Sequence, residues 1–187
     1  MKIVITILFA VLLAGCGMGA KPLPVTGNYD FGLPEPQAPK LSLKRLSQVE
    51  VAAPRWLDTA NLYYRLAYAD PAQPRIYVQT KWVMPPPHLV EGRLKERAVT
   101  GGVVIGGAGP VLRVELDEFS QVFASATESR AVLHARVTLA NGREVLKQKA
   151  FAVEEPAASA DGPGGAGALK RAADRFIEDL LAWAGSE

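Results

Sequence analysis

Asn141-Gly142, set between two stretches in which apolar and polar residues alternate, restricts the fold more than any other feature. Both residues tolerate φ > 0, so the pair predicts a two-residue turn between antiparallel strands. Before it, Leu133, Ala135, Val137 and Leu139 alternate with His134, Arg136 and Thr138. With Asn141 and Gly142 as the turn, Val137 faces Leu146 and Leu133 faces Ala150, so the apolar faces agree and the register is expected. A hairpin with one apolar face needs a cover.

The rest of the chain supplies both more strands and the cover. Leu112, Val114 and Leu116 alternate with Arg113, Glu115 and Asp117. Upstream, Leu41 to Ala53 reads as a strand ended by Pro54. Leu62, Tyr64, Leu66 and Tyr68 form a half-buried strand, Asp70-Pro71-Ala72-Gln73-Pro74 a turn, and Ile76, Val78, Thr80 and Trp82 the returning arm. Pro85 to Pro87 then open a helix with Val90, Leu94 and Ala98 on one face, closed by Gly101-Gly102. Glu155 to Gly167, rich in Pro, Ala and Gly, reads as a loop. Beyond it Leu169, Ala173, Phe176, Leu180 and Trp183 recur at helical spacing. Lys170, Arg171, Asp174, Arg175, Glu178 and Asp179 take the other flank. The order β-β-β-α-β-β-β-α predicts an α+β fold: one domain, an antiparallel sheet with two helices on one face.

At the other end, Ile3 to Gly15 is an apolar run behind Met1 and Lys2, broken by Thr6. It is shorter than the ~20 residues of a membrane-spanning helix but suits a secretory signal. It closes on Leu13-Ala14-Gly15-Cys16, which resembles the bacterial lipobox. That resemblance implies a diacylglycerol on the Cys16 sulfur, cleavage before Cys16 and acylation of the new amine. One acyl chain holds a protein to a membrane marginally and two or more firmly, so the anchor would be a lipid rather than a span. Gly17, where Asp would signal retention at the inner membrane, points to the outer membrane and its periplasmic face. Gly17 to Lys40 carries five prolines among four glycines and reads as a tether. The dozen residues before Asn28 could span about 35 Å. Tyr29-Asp30-Phe31-Gly32 is its one apolar cluster, a first strand or docking segment. The expected divisions are 1–15 signal peptide, 16–40 acylated cysteine and tether, and 41–187 folded domain.

Little in the chain points to catalysis. One cysteine excludes an internal disulfide and a multi-thiolate zinc site, and a net charge of +2 gives no electrostatic reason to expect nucleic acid. The glycines from Gly101 to Gly109 are followed by Pro110 and a strand, not by the helix that a phosphate cradle or dinucleotide site requires. His88 and His134 lie far apart, and Asp117-Glu118 reads as a solvated strand end. No nucleophile elbow, metal-spaced carboxylate cluster or cofactor motif is present, so no catalytic residue, metal or cofactor is assigned. Aromatic residues are more informative. Trp56, Tyr63, Tyr64, Tyr68, Tyr77 and Trp82 crowd one region, with Arg55, Arg65, Arg75 and Lys81 among them. Such residues are either buried with satisfied polar tips or a partner surface. Tyr64 and Trp82 are expected in the core. Trp56, Asp58, Tyr63 and Arg65 are the candidate interface.

Taken together, the lipobox, Tyr29-Asp30-Phe31-Gly32, Val-Ala-Ala-Pro-Arg-Trp-Leu-Asp from Val51 to Asp58, Tyr64-Arg65-Leu66, Lys81-Trp82 and the Trp-ended final helix resemble the ABC-type transport auxiliary lipoprotein family, the PqiC-like proteins. The resemblance implies an outer-membrane-anchored periplasmic lipoprotein, not an enzyme. It implies service to a permease, a cytoplasmic ATPase and an MCE-domain protein that move lipids or other hydrophobic compounds. Binding of the MCE component, and in some members a ring-shaped homo-oligomer, come with it. Trp56-Leu57-Asp58, Arg65 and Trp82 match signature positions. An envelope-assembly or cell-wall-synthase-activating lipoprotein shares the anchor and tether and is the alternative reading.

Overall fold

The computed structural model describes residues 27–33 and 41–186. The signal, Cys16 and the lipobox lie outside the described residues. Eleven elements follow one another: β1 (Gly27–Tyr29), β2 (Arg45–Leu46), β3 (Gln48–Ala52), β4 (Asn61–Leu66), β5 (Asp70–Trp82), α1 (Pro86–Thr100), β6 (Val104–Ile105), β7 (Val111–Phe123), β8 (Ser129–Asn141), β9 (Glu144–Pro156) and α2 (Gly162–Ala184). The expected α+β architecture is present, a seven-stranded sheet with both helices on one face, and β2 and β6 pair apart from it as a two-stranded parallel sheet. Three short strands are added to the expected order.

The sheet is mixed rather than antiparallel. Its seven strands run β1-β5-β4-β7-β8-β9, with β3 also on β7. Hairpins β4-β5, β7-β8 and β8-β9 are antiparallel, whereas β1 on β5, and β3 and β4 on β7, are parallel. Local sequence reveals hairpins, because their partners are adjacent. Parallel pairs join distant segments. β3 and β4 line up one after the other along β7. Pro54 has no N–H for a ladder, so the chain leaves the sheet at 53–60 and rejoins the same neighbour in the same direction.

The turn at Asn141 differs from expectation by a shift that changes faces. Asn141 pairs with Glu144, so Gly142 and Arg143 are the central residues. Gly142 alone has positive φ, +59°, which matches a II′ turn. An irregularity between Leu139 and Ala140 shifts the register further, and Val137 faces Lys149 while Leu133 faces Val153. Phe151 and Val153 therefore enter the core, and Val145 and Leu146 are exposed. β9 is a sheet edge. Lys149 shares the inner face with Phe151, its ammonium 4.7 Å from the ring centroid, a charge placement that discourages edge-to-edge pairing.

α1 has the expected limits, with Pro85 to Pro87 at its start and Gly101 at its cap; Val90, Leu94 and Ala98 are buried. α2 begins earlier than expected. Gly162 to Gly167, read as loop, are its first turns, capped by Asp161, whose side chain accepts from the Gly164 N–H at 2.8 Å. Glycine serves there because the helix touches the sheet. A Cβ on Gly162 would lie 2.2 Å from Thr80 Oγ1, and one on Gly165 2.1 Å from Gln121 Oε1. Further along, Leu169, Phe176, Ile177 and Leu180 close the core over β7, β8 and β9.

Beneath those glycines lies a polar chain. Tyr77 OH donates to Gln121 Oε1 at 2.8 Å, and Gln121 Nε2 donates to Ser129 Oγ at 2.7 Å. Burial, then Tyr64 and Asp161, push the Tyr77 phenol well above its ordinary value. An acid harder to ionise folded than unfolded stabilises fully below its unfolded pKa, about 10, and loses that contribution as pH rises beyond it. Urea unfolding of the wild type is expected to show falling stability above about pH 10. Tyr77→Phe should show a shallower fall, and an identical slope would refute the assignment.

Candidate partner interface

Helices cover one sheet face; the candidate residues gather on the other. Tyr64 packs on Tyr77 and Phe123, ring centroids 4.6 and 5.8 Å away, on the side of Gln121 and α2. Successive strand residues point to opposite faces, so Tyr63 and Arg65 project away from the helices. The turn that begins at Pro54 covers them. Pro54 O accepts the N–H groups of Leu57 and Asp58 at 2.8 and 3.1 Å, and Leu57 is driven fully into the core. Next to it Trp56 meets Tyr63 edge to face at 5.2 Å.

Arg65 organises the cluster. Its guanidinium carbon lies 5.4 Å from the Trp56 ring centroid. Nε and Nη2 donate to Glu118 Oε2 at 3.0 and 2.8 Å, and Nη1 to the carbonyls of Pro71 and Ala72 at 3.1 and 3.4 Å. Both side chains are mostly buried, at 18% and 15% exposed. A single guanidinium thus joins the Trp56 turn, β7 and the start of β5.

The expected turn at Asp70 to Pro74 is already strand. The chain turns at 67–69, with Ala69 N–H on Leu66 O at 3.0 Å. Between the Leu66–Asp70 and Tyr64–Arg75 pairs β5 bulges, and Arg65 holds the carbonyls of that bulge. A second irregularity, between the Tyr63–Ile76 and Asn61–Lys81 pairs, changes which residues face inward. Thr80 and Trp82 are buried, whereas Ile76 and Val78 are exposed. The inward alternation expected from Ile76 to Trp82 holds only for its second half.

Of the four candidate residues, Trp56 touches both Tyr63 and Arg65, and Asp58 stands in the same turn as Trp56, 3.9 Å from His88 Nε2. Tyr63 itself is only 9% exposed, its hydroxyl 3.2 Å from Thr59 Oγ1. The turn buries it, so it supports Trp56 instead of presenting a surface. Trp82 is in the core as expected, against Phe31 and Phe119, each centroid 5.8 Å away. Tyr64 is half-buried.

Glu118, expected as a solvated strand end, is instead the half-buried counter-charge of Arg65. An irregularity between Leu116 and Glu118 moves the strand on by one position, so Phe119, Gln121 and Phe123 continue the inner face. That shifted alternation, Phe119-x-Gln121-x-Phe123, was the available sign that the strand continues. Ile76 stands opposite Tyr63 and, with Val78, adds exposed apolar surface beside the cluster.

Among the described residues no helix is long and apolar enough to cross a membrane. The fold is similar to that of the crystal structure of protein XCC0632 from Xanthomonas campestris, of family DUF330. The TM-score is 0.69 at 21% identity, over 86% of this chain and 90% of that one. A second crystal structure, of an uncharacterized protein, is similar with a TM-score of 0.62 at 14% identity, over 86% and 97% of the two chains. No curated protein matches. The family model for the ABC-type transport auxiliary lipoprotein component matches residues 31–180, from the docked Phe31 through the core-facing Leu180, and the chain belongs to that family.

Proposed function

We propose that this auxiliary lipoprotein is held at the outer membrane, on its periplasmic face, by acyl groups on Cys16. In that place it serves, without catalysis, an ABC/MCE-type system that moves lipids or other hydrophobic compounds. Family membership carries the reading, since the family is an auxiliary component of ABC-type transport. The Arg65-braced surface supports it. Trp56 rests on Tyr63 and Arg65, Tyr63 faces the exposed Ile76 across the strand pair, and Asp58 stands in the Trp56 turn, the mixture of aromatic, apolar and charged groups found at partner contacts. Anchoring both partners in one envelope raises their effective concentration, so weak contacts suffice. Assembly as a homo-oligomer is compatible with the same surface.

The test is capture of the mature lipoprotein from detergent-solubilised envelopes, with protein identification. Recovery of a permease, an ATPase and an MCE-domain protein is expected, reduced by Asp58→Arg and Ile76→Asp. Recovery of a peptidoglycan synthase or a β-barrel protein in their place overturns the reading. Cys16→Ser should remove the chain from the outer-membrane fraction.

A further inference from the structure

β2 and β6 pair with each other and with no strand of the main sheet, Arg45 beside Val104 and Leu46 beside Ile105. Paired residues of a parallel ladder point to the same side, and successive residues to opposite sides. Leu46 is fully buried and Ile105 half-buried, so Arg45 and Val104 face outward together; Arg45 is exposed and Val104 is 52% exposed. Val104 N–H bonds Lys44 O at 3.0 Å and Gly106 N–H bonds Leu46 O at 2.8 Å, which fixes the pair as a lobe. The lobe sits beyond the start of β7, since Ser47 N–H bonds Pro110 O at 2.8 Å and Gln48 pairs with Val111. β4 and its Arg65 lie along the other half of that strand.

The charge of the lobe is one-sided. Residues 41–49 and 97–114 include no Asp, no Glu and no aromatic residue. Glu50, the next carboxylate along the chain, is taken by Arg113 at 2.9 Å. Among the described residues no carboxylate pairs with Lys44 or Arg45; Lys44 reaches the Leu41 carbonyl alone, at 3.4 Å. The Arg45 side chain lies along the loop after β6. A Cβ on Gly107 would be 3.5 Å from its Nη1, and one on Gly109 3.3 Å from its Cγ. Three of the four residues in the 106–109 loop are glycines with positive φ, so the loop is nearly bare backbone. Among the described residues the N–H groups of Gly107, Ala108 and Gly109 have no hydrogen-bond acceptor. Val99, at the end of α1, adds a second outward aliphatic side chain, 58% exposed. Protein contacts centre on Trp, Tyr and Arg, whereas unpartnered cations among short aliphatic groups suit a headgroup layer.

We propose that the β2–β6 lobe, with the 106–109 loop, docks on an anionic phospholipid surface; the proposal rests on the lipid anchor at Cys16, which keeps a bilayer within reach. Lipid phosphate oxygens accept from Arg45, Lys44 and the free N–H groups of the loop, and Val104 and Val99 enter the boundary between headgroups and acyl chains. The start of β7 is then the membrane end of the domain. The Trp56 surface, along the other half of β7, stays clear of the lipid for a protein partner.

The test places the mature acylated protein on vesicles of phosphatidylcholine alone, or of phosphatidylcholine with phosphatidylglycerol, and follows hydrogen exchange. With phosphatidylglycerol, exchange at residues 104–109 should slow by about threefold or more, and high salt should reverse the effect. Lys44→Glu/Arg45→Glu should abolish the slowing while leaving the urea midpoint unchanged; if that midpoint falls, the salt dependence of the wild type still decides. Equal exchange on the two vesicles overturns the proposal. So does equal slowing by inorganic phosphate on phosphatidylcholine vesicles, which would make the loop a site for free anions. Val104→Cys and Val78→Cys, each carrying an environment-sensitive fluorophore, locate the contact. Emission should shift to the blue at position 104 and not at 78, and the reverse pattern overturns the proposal. Protein that washes off phosphatidylcholine vesicles refutes the anchor at Cys16, while its retention by phosphatidylglycerol still decides the lobe.

Discussion

Gly165→Ala is expected to destabilise the domain by about 2–3 kcal/mol, although alanine in a helix normally improves on glycine by about 1 kcal/mol. The added methyl would sit 2.1 Å from Gln121 Oε1, and Gln121 cannot swing aside cheaply because it is fully buried between Tyr77 and Ser129. Overpacking costs roughly 1–3 kcal/mol, and a broken buried hydrogen bond adds about 1. At roughly 2–4 °C per kcal/mol the thermal midpoint should fall by about 5–10 °C. Gly92→Ala is the control. Nothing lies within 4 Å of a Cβ there, in the middle of α1, so that change should stabilise by up to about 1 kcal/mol. If urea midpoints move the same way in both variants, the glycines of α2 are not there for close approach to the sheet.

That prediction marks where sequence and structure part. α1 was legible because prolines open it, glycine closes it and one apolar stripe faces the sheet, all local facts. α2 was legible only from Leu169 onward. Its first turns look like a loop because a glycine run lowers helix propensity, and what reverses that is Thr80 and Gln121, which no local pattern reveals. Strand pairs were legible where a hairpin joined them, although each irregularity displaced the expected faces. Three residues decide the outcome. Leu146 and Ile76 become exposed because a moved turn or a bulge shifts the alternation by an odd number of positions. Glu118 is carried to the outer face by the irregularity after Leu116, and Arg65 partly covers it there. The aromatic and arginine composition did locate the candidate surface, since Trp56, Tyr63 and Arg65 meet there. It could not distinguish the buried support, Tyr63, from the presented residues, because that depends on the turn folding back over β4.

Arg65→Ala is expected to cost about 2–3 kcal/mol and to disassemble the candidate surface while the helices remain. Breaking a buried ion pair by removing one partner costs roughly 3–5 kcal/mol, because the remaining charge is uncompensated. Glu118 and Arg65 keep some solvent access, so part of that is recovered through hydration. Loss of the Pro71 and Ala72 carbonyl bonds and of the stacking on Trp56 adds about 0.5–1 kcal/mol to the discounted pair, which leaves about 2–3 kcal/mol in all. Arg65→Lys should rescue little. One ammonium cannot hold Glu118 along two N–H groups while a third reaches the bulge of β5. The Arg65→Ala/Glu118→Ala pair should be less damaging than the sum of its single changes, since the second removes the stranded carboxylate. Urea unfolding measures the cycle, and proteolysis between Pro71 and Pro74 reports the freed bulge. Additive single changes with no new cleavage would mean that Arg65 is a surface charge, and that Trp56 and Asp58 are positioned by the 53–60 turn alone.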